Sequence, residues 1–159
     1  MPKAPTNDLL DRARAWLAED PDPQTRAELA ALLAAAEGPE DEAEDRIAWT
    51  PRPDRFSGRL QFGTAGLRGA LGAGPNRMNR VLVRVATSGV AAWLSKQGHD
   101  GATVVIGRDA RHGSADFAHD AAQVFAAAGF RVLVLPEPVP TPVTAFAVRH
   151  LGAVAGVMV

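Results

Sequence analysis

The chain has 159 residues and weighs 16.7 kDa, enough for one domain or one domain with an appendage. With 47% hydrophobic and 22% charged residues it has ordinary globular usage, which argues against wholesale disorder, and its net charge of −1 gives none of the basic excess a dedicated nucleic-acid binder needs. It has no cysteine, so disulfides, thiolate catalysis and cysteine–zinc sites are excluded. No run of about 18 apolar residues is present, and Met1 to Asp11 lacks the apolar stretch of a secretory signal. A cytoplasmic location without a membrane partner is expected.

The chain opens with helical spacing. Leu9, Leu10, Ala13, Trp16 and Leu17 form one apolar face, which Pro21-Asp22-Pro23 interrupts. Thr25 with Glu28 three residues later reads as a capping box for a second helix, with the stripe Leu29, Leu32, Leu33 and Ala36 and a stop at Gly38. Glu40 to Asp45 is an acidic run, read as a solvated face. Pro51, Pro53 and Gly58 then punctuate the chain, so the boundary between a helical extension (1–55) and the main domain (56–159) is expected near residue 55.

Beyond that boundary the pattern changes. Arg59 to Phe62 suits a short strand, and Gly63 to Gly74 is too glycine-rich for a regular element. Asn79 is a plausible N-cap for a long helix with Leu82, Ala86, Gly89 and Trp93 on one face. Thr103 to Ile106 is a β-branched run and reads as a buried strand. Ser114 suits the cap of a helix with the face Phe117, Ala121, Val124 and Ala128, and Gly129 suits its end. Phe130 to Leu135 reads as a strand. Thr141-Pro142 reads as an N-cap and first helical residue, the helix reaching about Leu151, and Ala153 to Val159 reads as a last strand. This alternation predicts an α/β fold: a mixed, mostly parallel sheet with right-handed βαβ crossovers, preceded by an N-terminal helical appendage. Ligands of such sheets usually sit beyond the carboxyl ends of the strands, which directs attention to the loops Gly63–Gly74, Gly107–Gly113 and Pro136–Thr141 and to whatever would follow Val159.

Two segments carry chemistry. In Phe62-Gly63-Thr64-Ala65-Gly66-Leu67-Arg68-Gly69, glycines let backbone N–H groups approach an anion, Thr64 adds a hydroxyl, and Arg68 adds a permanently charged fork suited to phosphate. The same residues also suit a glycine-rich hairpin with Arg68 in solvent. No Gly-Lys-Ser/Thr follows, so this is no Walker loop, and the glycine spacing is not that of a dinucleotide fingerprint. In Gly107-Arg108-Asp109-Ala110-Arg111-His112-Gly113-Ser114, two arginines, a histidine and a helix start make an anion-friendly loop, unless Asp109 pairs with an arginine and Ser114 only caps. His99, His112, His119 and His150 lack metal-ligand spacing, and no Gly-x-Ser-x-Gly elbow is present. Trp16, Trp49 and Trp93 read as core residues. Pro136 to Pro142 reads as a stiff connector.

Taken together, Phe62–Gly69, the following Gly72-Ala73-Gly74-Pro75-Asn76-Arg77-Met78-Asn79, Val105–Arg111, Val139-Pro140-Thr141-Pro142 and Ala155-Gly156-Val157-Met158-Val159 resemble the N-terminal domain of the α-D-phosphohexomutases. This family includes the phosphoglucomutases and phosphomannomutases. The resemblance spans Leu60 to Val159 in five collinear segments. The helical extension and Asn76–Asn79 look most like the phosphoglucomutase branch that includes phosphopentomutases.

The resemblance implies an isomerase of carbohydrate metabolism that acts as an intramolecular phosphotransferase. A phosphoserine donates its phosphoryl group to a hexose or pentose phosphate, and the sugar bisphosphate intermediate returns the other one. Mg²⁺ assists, touching the phosphoserine and held by an Asp-rich loop of the second domain. On this reading Arg68, Thr64 and Gly66 bind phosphate, and Arg108, Asp109 and Arg111 form a supporting loop whose role is structural first. In the family the last strand runs into a Thr-Ala/Gly-Ser-His-Asn-Pro loop, and this sequence stops at Val159, where that loop would begin. The resemblance therefore implies an N-terminal fragment, inactive alone, with no catalytic and no metal-binding residue of its own, whose partners are the remaining domains of the same enzyme. The alternative is a non-catalytic phosphate-binding α/β module acting with a partner chain. Coding sequence beyond Val159 separates the two.

Overall fold

The structure, a computed structural model, describes residues 7–37 and 53–159. Gly38, the acidic run, Trp49 and Pro51 lie outside the described residues. Two compact units form, Met1–Leu82 and Val83–Val159.

In the first unit, α1 (Asn7–Glu19) and α2 (Pro23–Glu37) pack as a pair. Their core holds Ala13, Leu29, Leu32, Leu33 and Ala36, joined by Phe56 from a 3₁₀ turn (Pro53–Phe56) and by Ala73. The Trp16 ring meets Phe56 edge-on, with centroids 6.4 Å apart. The expected capping box is absent. Pro23 is already the first residue of α2, and the Asp22 carboxylate accepts from Gln24 N at 2.9 Å. Thr25 Oγ1 donates to Asp20 Oδ2 at 2.7 Å, while Glu28 turns away to partners 27 and 45 residues distant.

The expected strand Arg59–Phe62 shortens to β1 (Phe62–Gly63), because Leu60 gives its N–H to Pro75 O at 2.9 Å rather than to a ladder. β1 pairs antiparallel with β2 (Gly66–Leu67), so the glycine-rich stretch contains a minimal hairpin. The helix α3 (Arg80–Lys96) starts where Asn79 predicts: Leu82 N donates to Asn79 Oδ1 at 2.9 Å.

In the second unit the expected α3 face is only partly right. Leu82 of the expected face is buried, but Trp93 is 59% exposed, and the other buried positions are Val83, Thr87, Ala91 and Leu94. This stripe is one residue round from the expected one. A helix rich in small apolar residues offers both stripes, and periodicity alone does not choose between them. Arg84 crosses to α4 (Ser114–Ala127), where Nε and Nη2 reach the fully buried Asp120 Oδ1 at 2.9 and 2.5 Å.

The sheet is parallel, with order β4 (Arg131–Val134), β3 (Thr103–Gly107), β5 (Ala155–Met158). Its helices α4 and α5 (Thr141–His150) are the crossovers, as the alternation predicts. Val104, Val105 and Ile106 are fully buried, as a central parallel strand requires. α5 packs on β3 and β5. It comes so close that a methyl group at Gly107 would run into Thr144 Oγ1, and one at Gly156 would lie 2.5 Å from Val148 Cγ2. Two expected caps shift by one residue. Gly113, at φ +80°, caps α4 in place of Ser114, and Pro140 caps α5 with Pro142 inside its first turn. Among the described residues no helix is long and apolar enough to cross a membrane.

Because Gly107 ends β3 under Thr144, its substitution tests the close approach that fixes this strand end. Gly107→Ala is expected to destabilise the chain by about 1–3 kcal/mol through overpacking. Thr144→Ala, which removes the obstructing hydroxyl and methyl, should recover part of that loss in the double mutant. Urea unfolding of the four proteins of the cycle measures the coupling.

Candidate functional site

The first unit presents Thr64, Gly66 and Arg68 on one exposed hairpin and its exit. The chain turns at Thr64-Ala65 and re-enters β2 at Gly66, whose φ of +89° a side chain would resist. The hairpin is mounted on residues 70–79. Leu60 N, on its entry side, donates to Pro75 O at 2.9 Å. On its exit side, Met78 N donates to Ala70 O at 2.9 Å and Gly72 N to Met78 O at 3.2 Å. The Asn79 amide donates to Gly72 O and Gly74 O at 2.9 and 2.8 Å, so one buried side chain both caps α3 and closes the loop.

The loop's anchorage was not legible in the local pattern. Arg55 Nη1 donates to Ala73 O at 3.0 Å, and Arg55 Nη2 to Glu28 Oε1 at 2.6 Å. The second Glu28 oxygen accepts from Ala73 N at 3.0 Å. Asp54 performs a similar task at the surface, accepting from Arg77 Nη1 at 2.8 Å and Asn76 Nδ2 at 3.1 Å. These arginines are spent on carboxylates of their own unit. Arg68 has no hydrogen-bond or ion-pair partner among the described residues, and its side chain is exposed.

In the second unit, Arg108, Asp109 and Arg111 lie on the loop after β3, at the carboxyl end of the sheet. Neighbouring strand ends knit this loop. Val159 N donates to Gly107 O at 2.9 Å, Asp109 N to Val159 O at 2.7 Å, and Val139 N to Arg108 O at 2.9 Å. The expected connector, Pro136 to Pro142, is thus tied to the loop through Val139. The Asp109 carboxylate holds the turn from inside. It accepts from Arg111 N at 2.9 Å, Ser114 Oγ at 2.8 Å and Arg111 Nε at 2.5 Å. Ser114 therefore braces Asp109 and does not cap the helix. Arg111 is engaged through Nε, while Arg108, half-buried, has no side-chain partner among the described residues.

The Arg111 backbone N–H, then the Ser114 hydroxyl, hold the Asp109 carboxyl below its ordinary value of 3.8, with the Arg111 guanidinium adding to this. A carboxyl that titrates lower in the folded chain than in the unfolded one stabilises the fold fully above the unfolded value. That contribution is lost as the pH falls through the folded value. Asp109→Asn is therefore expected to unfold earlier than the parent at neutral pH, and the gap should close as the pH drops below about 4. Thermal unfolding of both proteins between pH 7 and 2.5 reads this directly. A gap that does not depend on pH would remove the charge of Asp109 from the explanation.

The profile described as Phosphoglucomutase/phosphomannomutase, alpha/beta/alpha domain I matches residues 59–159. A phosphoribomutase of Saccharomyces cerevisiae is 37% identical over 156 residues, which cover 96% of this chain and 23% of that protein. A phosphoglucomutase of Staphylococcus haemolyticus is 40% identical over 104 residues, covering 65% and 19%. A crystal structure of a Thermus thermophilus protein assigned as a phosphomannomutase superposes with a TM-score of 0.56 at 36% identity, over 65% of this chain and 22% of that one. The chain thus spans about a fifth of the length of the curated relatives it matches. With the profile matched from just before the hairpin to the last strand, the chain belongs to the phosphoglucomutase/phosphomannomutase family.

Proposed function

We propose that the chain is the N-terminal part, domain I, of a cytoplasmic phosphosugar mutase. The enzyme moves a phosphoryl group between the 1 and 6 positions of a hexose phosphate, or the corresponding positions of a pentose phosphate, through a phosphoserine and a sugar bisphosphate. The observation that carries this reading is the state of Arg68. Among the described residues Arg68 is unpaired and exposed, as Arg59, Arg131 and Arg149 also are, but Arg68 alone of these stands at the exit of a glycine-rich hairpin whose base is hydrogen-bonded on both sides. A guanidinium fork of this kind binds a phosphoryl group through two parallel N–H donors.

On this reading Arg68 orients the phosphoryl group and neutralises charge that develops as it transfers, while the Thr64 hydroxyl and the backbone at Gly66 supply further donors. Asp109 and Arg111 keep the supporting loop in shape, and Arg108, without a side-chain partner among the described residues, adds a positive charge to it. Mg²⁺, when bound in the complete enzyme, supplies charge neutralisation at the phosphoryl oxygens. Among the described residues no group of three or more His, Cys, Asp or Glu side chains is placed to hold a metal ion. On this reading the metal ligands come from the remaining domains of the enzyme.

The 159 residues contain no Thr-x-Ser-His-Asn-Pro segment. Of the serines they do contain, Ser57 and Ser88 donate to backbone carbonyls and Ser114 donates to Asp109. The purified chain is expected to show no conversion of glucose 1-phosphate to glucose 6-phosphate with bisphosphate and Mg²⁺ present. Turnover that Ser114→Ala abolishes would overturn the reading. In the complete enzyme, Arg68→Ala is expected to lower kcat by about 10²–10³ with little change in melting temperature. Arg68→Lys, which keeps the charge and loses the fork, should recover only part of that rate. Near-normal turnover of Arg68→Ala would make Arg68 an ordinary surface residue.

A further inference from the structure

We propose that Glu28 and Arg55 are positioning residues for the Thr64–Arg68 hairpin; this rests on the phosphate-binding reading of that hairpin. The pair grips both backbone groups of one buried residue. Glu28 Oε2 accepts from Ala73 N at 3.0 Å, and Arg55 Nη1 donates to Ala73 O at 3.0 Å. Glu28 Oε1 and Arg55 Nη2 close the triangle at 2.6 Å. Arg55 O also accepts from Asn76 N at 3.0 Å.

The loop is shaped around this side chain. Gly72 and Gly74 flank Ala73 at φ +141° and +108°. A Cβ at Gly72 would lie 2.5 Å from Arg55 Nη1, and one at Gly74 would lie 2.9 Å from Arg55 O. From the loop, hydrogen bonds run to both roots of the hairpin: Leu60 N to Pro75 O, and Met78 N to Ala70 O. Ala70 is two residues beyond Arg68. A displacement of Ala73 therefore passes through a short, stiff path to the guanidinium and the turn at Thr64.

Stability alone is a poor account of the pair. With the Glu28 side chain 36% exposed, the ion pair itself adds little to stability. Arg55 also keeps a buried Nε without a partner, a cost that an apolar residue would not carry. What the pair supplies is direction: two planar groups fix where Ala73 N and O lie, which packing of Leu29 and Leu32 does not do.

Inorganic phosphate titrated into the ¹⁵N-labelled 159-residue chain, read at the amides of Thr64, Gly66 and Gly69, tests this. In the parent chain these amides should shift saturably. Arg68→Ala should abolish the shifts; if they persist unchanged, the phosphate-binding reading itself falls. Glu28→Gln places an amide N–H₂ where two donors converge. Arg55→Lys keeps the charge and loses the fork onto Ala73. Each should weaken phosphate binding by about tenfold or more, as small misplacements of a binding group do. Leu29→Val removes core volume and none of the bonds to Ala73. It should lower the melting temperature and leave phosphate affinity unchanged. If Glu28→Gln and Arg55→Lys bind phosphate like the parent while Arg68→Ala does not, the positioning role is overturned and the site stands. If Leu29→Val weakens binding as much as they do, at a temperature where all are folded, the effect is general stability and the proposal is likewise overturned.

Discussion

A glycine-rich loop that is neither helix nor extended sheet leaves its own backbone groups unpaired, and each must find a partner. In the first unit that constraint converges on Ala73. Its N–H and C=O are taken by Glu28 and Arg55, from elements 45 and 18 residues away. Asn79 takes the carbonyls of Gly72 and Gly74 on either side. Once these groups are paired, the segment 70–79 has one shape, and the hairpin before it has one mounting. A buried donor or acceptor left without its partner costs about 1–3 kcal/mol. Losing the Glu28 carboxylate would leave both Ala73 N and Arg55 Nη2 without that partner.

The second unit solves a related problem differently. Parallel strands send their carboxyl ends to one edge, where loops meet without ladder partners. Here strand ends and loops pair with each other. The residue after β5 exchanges hydrogen bonds with Gly107 and Asp109, and the connector before α5 donates to Arg108. Asp109 then folds the loop around its own carboxylate. The absence of a side chain at Gly107 lets Thr144 descend onto β3, so the approach of α5 and the shape of the loop have a common origin.

Much of this was legible in local pattern. β-branched runs marked β3, alternation marked the parallel sheet, and Asn79 marked the start of α3. What pattern missed was long-range competition for side chains. Thr25 and Glu28 have capping-box spacing, yet Asp22 serves as the cap because Pro23 already starts the helix, and Glu28 is worth more bound to Arg55 and Ala73. Ser114 sits where a cap belongs, but Gly113 can take the left-handed conformation and Ser114 is drawn to Asp109. Trp93 falls on an apolar stripe, but α3 offers two such stripes, and the one starting at Val83 is buried. In each case the local rule named a residue able to act, and tertiary geometry decided what it acted on. The arginine motif was legible as chemistry, while its two possible states, solvent-facing or ligand-facing, look the same in sequence.

The bulk charge of the chain is close to neutral, and this conceals how the charges are used. Arg55, Arg77, Arg84 and Arg111 are neutralised by carboxylates at 2.5–2.8 Å, so they contribute architecture rather than field. Among the described residues Arg68 and Arg108 have no carboxylate beside them, and each lies on a loop that other residues hold in place. A cation on a mobile loop would lose much of its binding free energy to ordering on each encounter with an anion. A cation on a loop already braced by hydrogen bonds avoids most of that loss. Arg55 and Arg77 shape residues 70–79 and Arg111 shapes its own turn, so these pairs lower the ordering cost for any cation carried on the same loops.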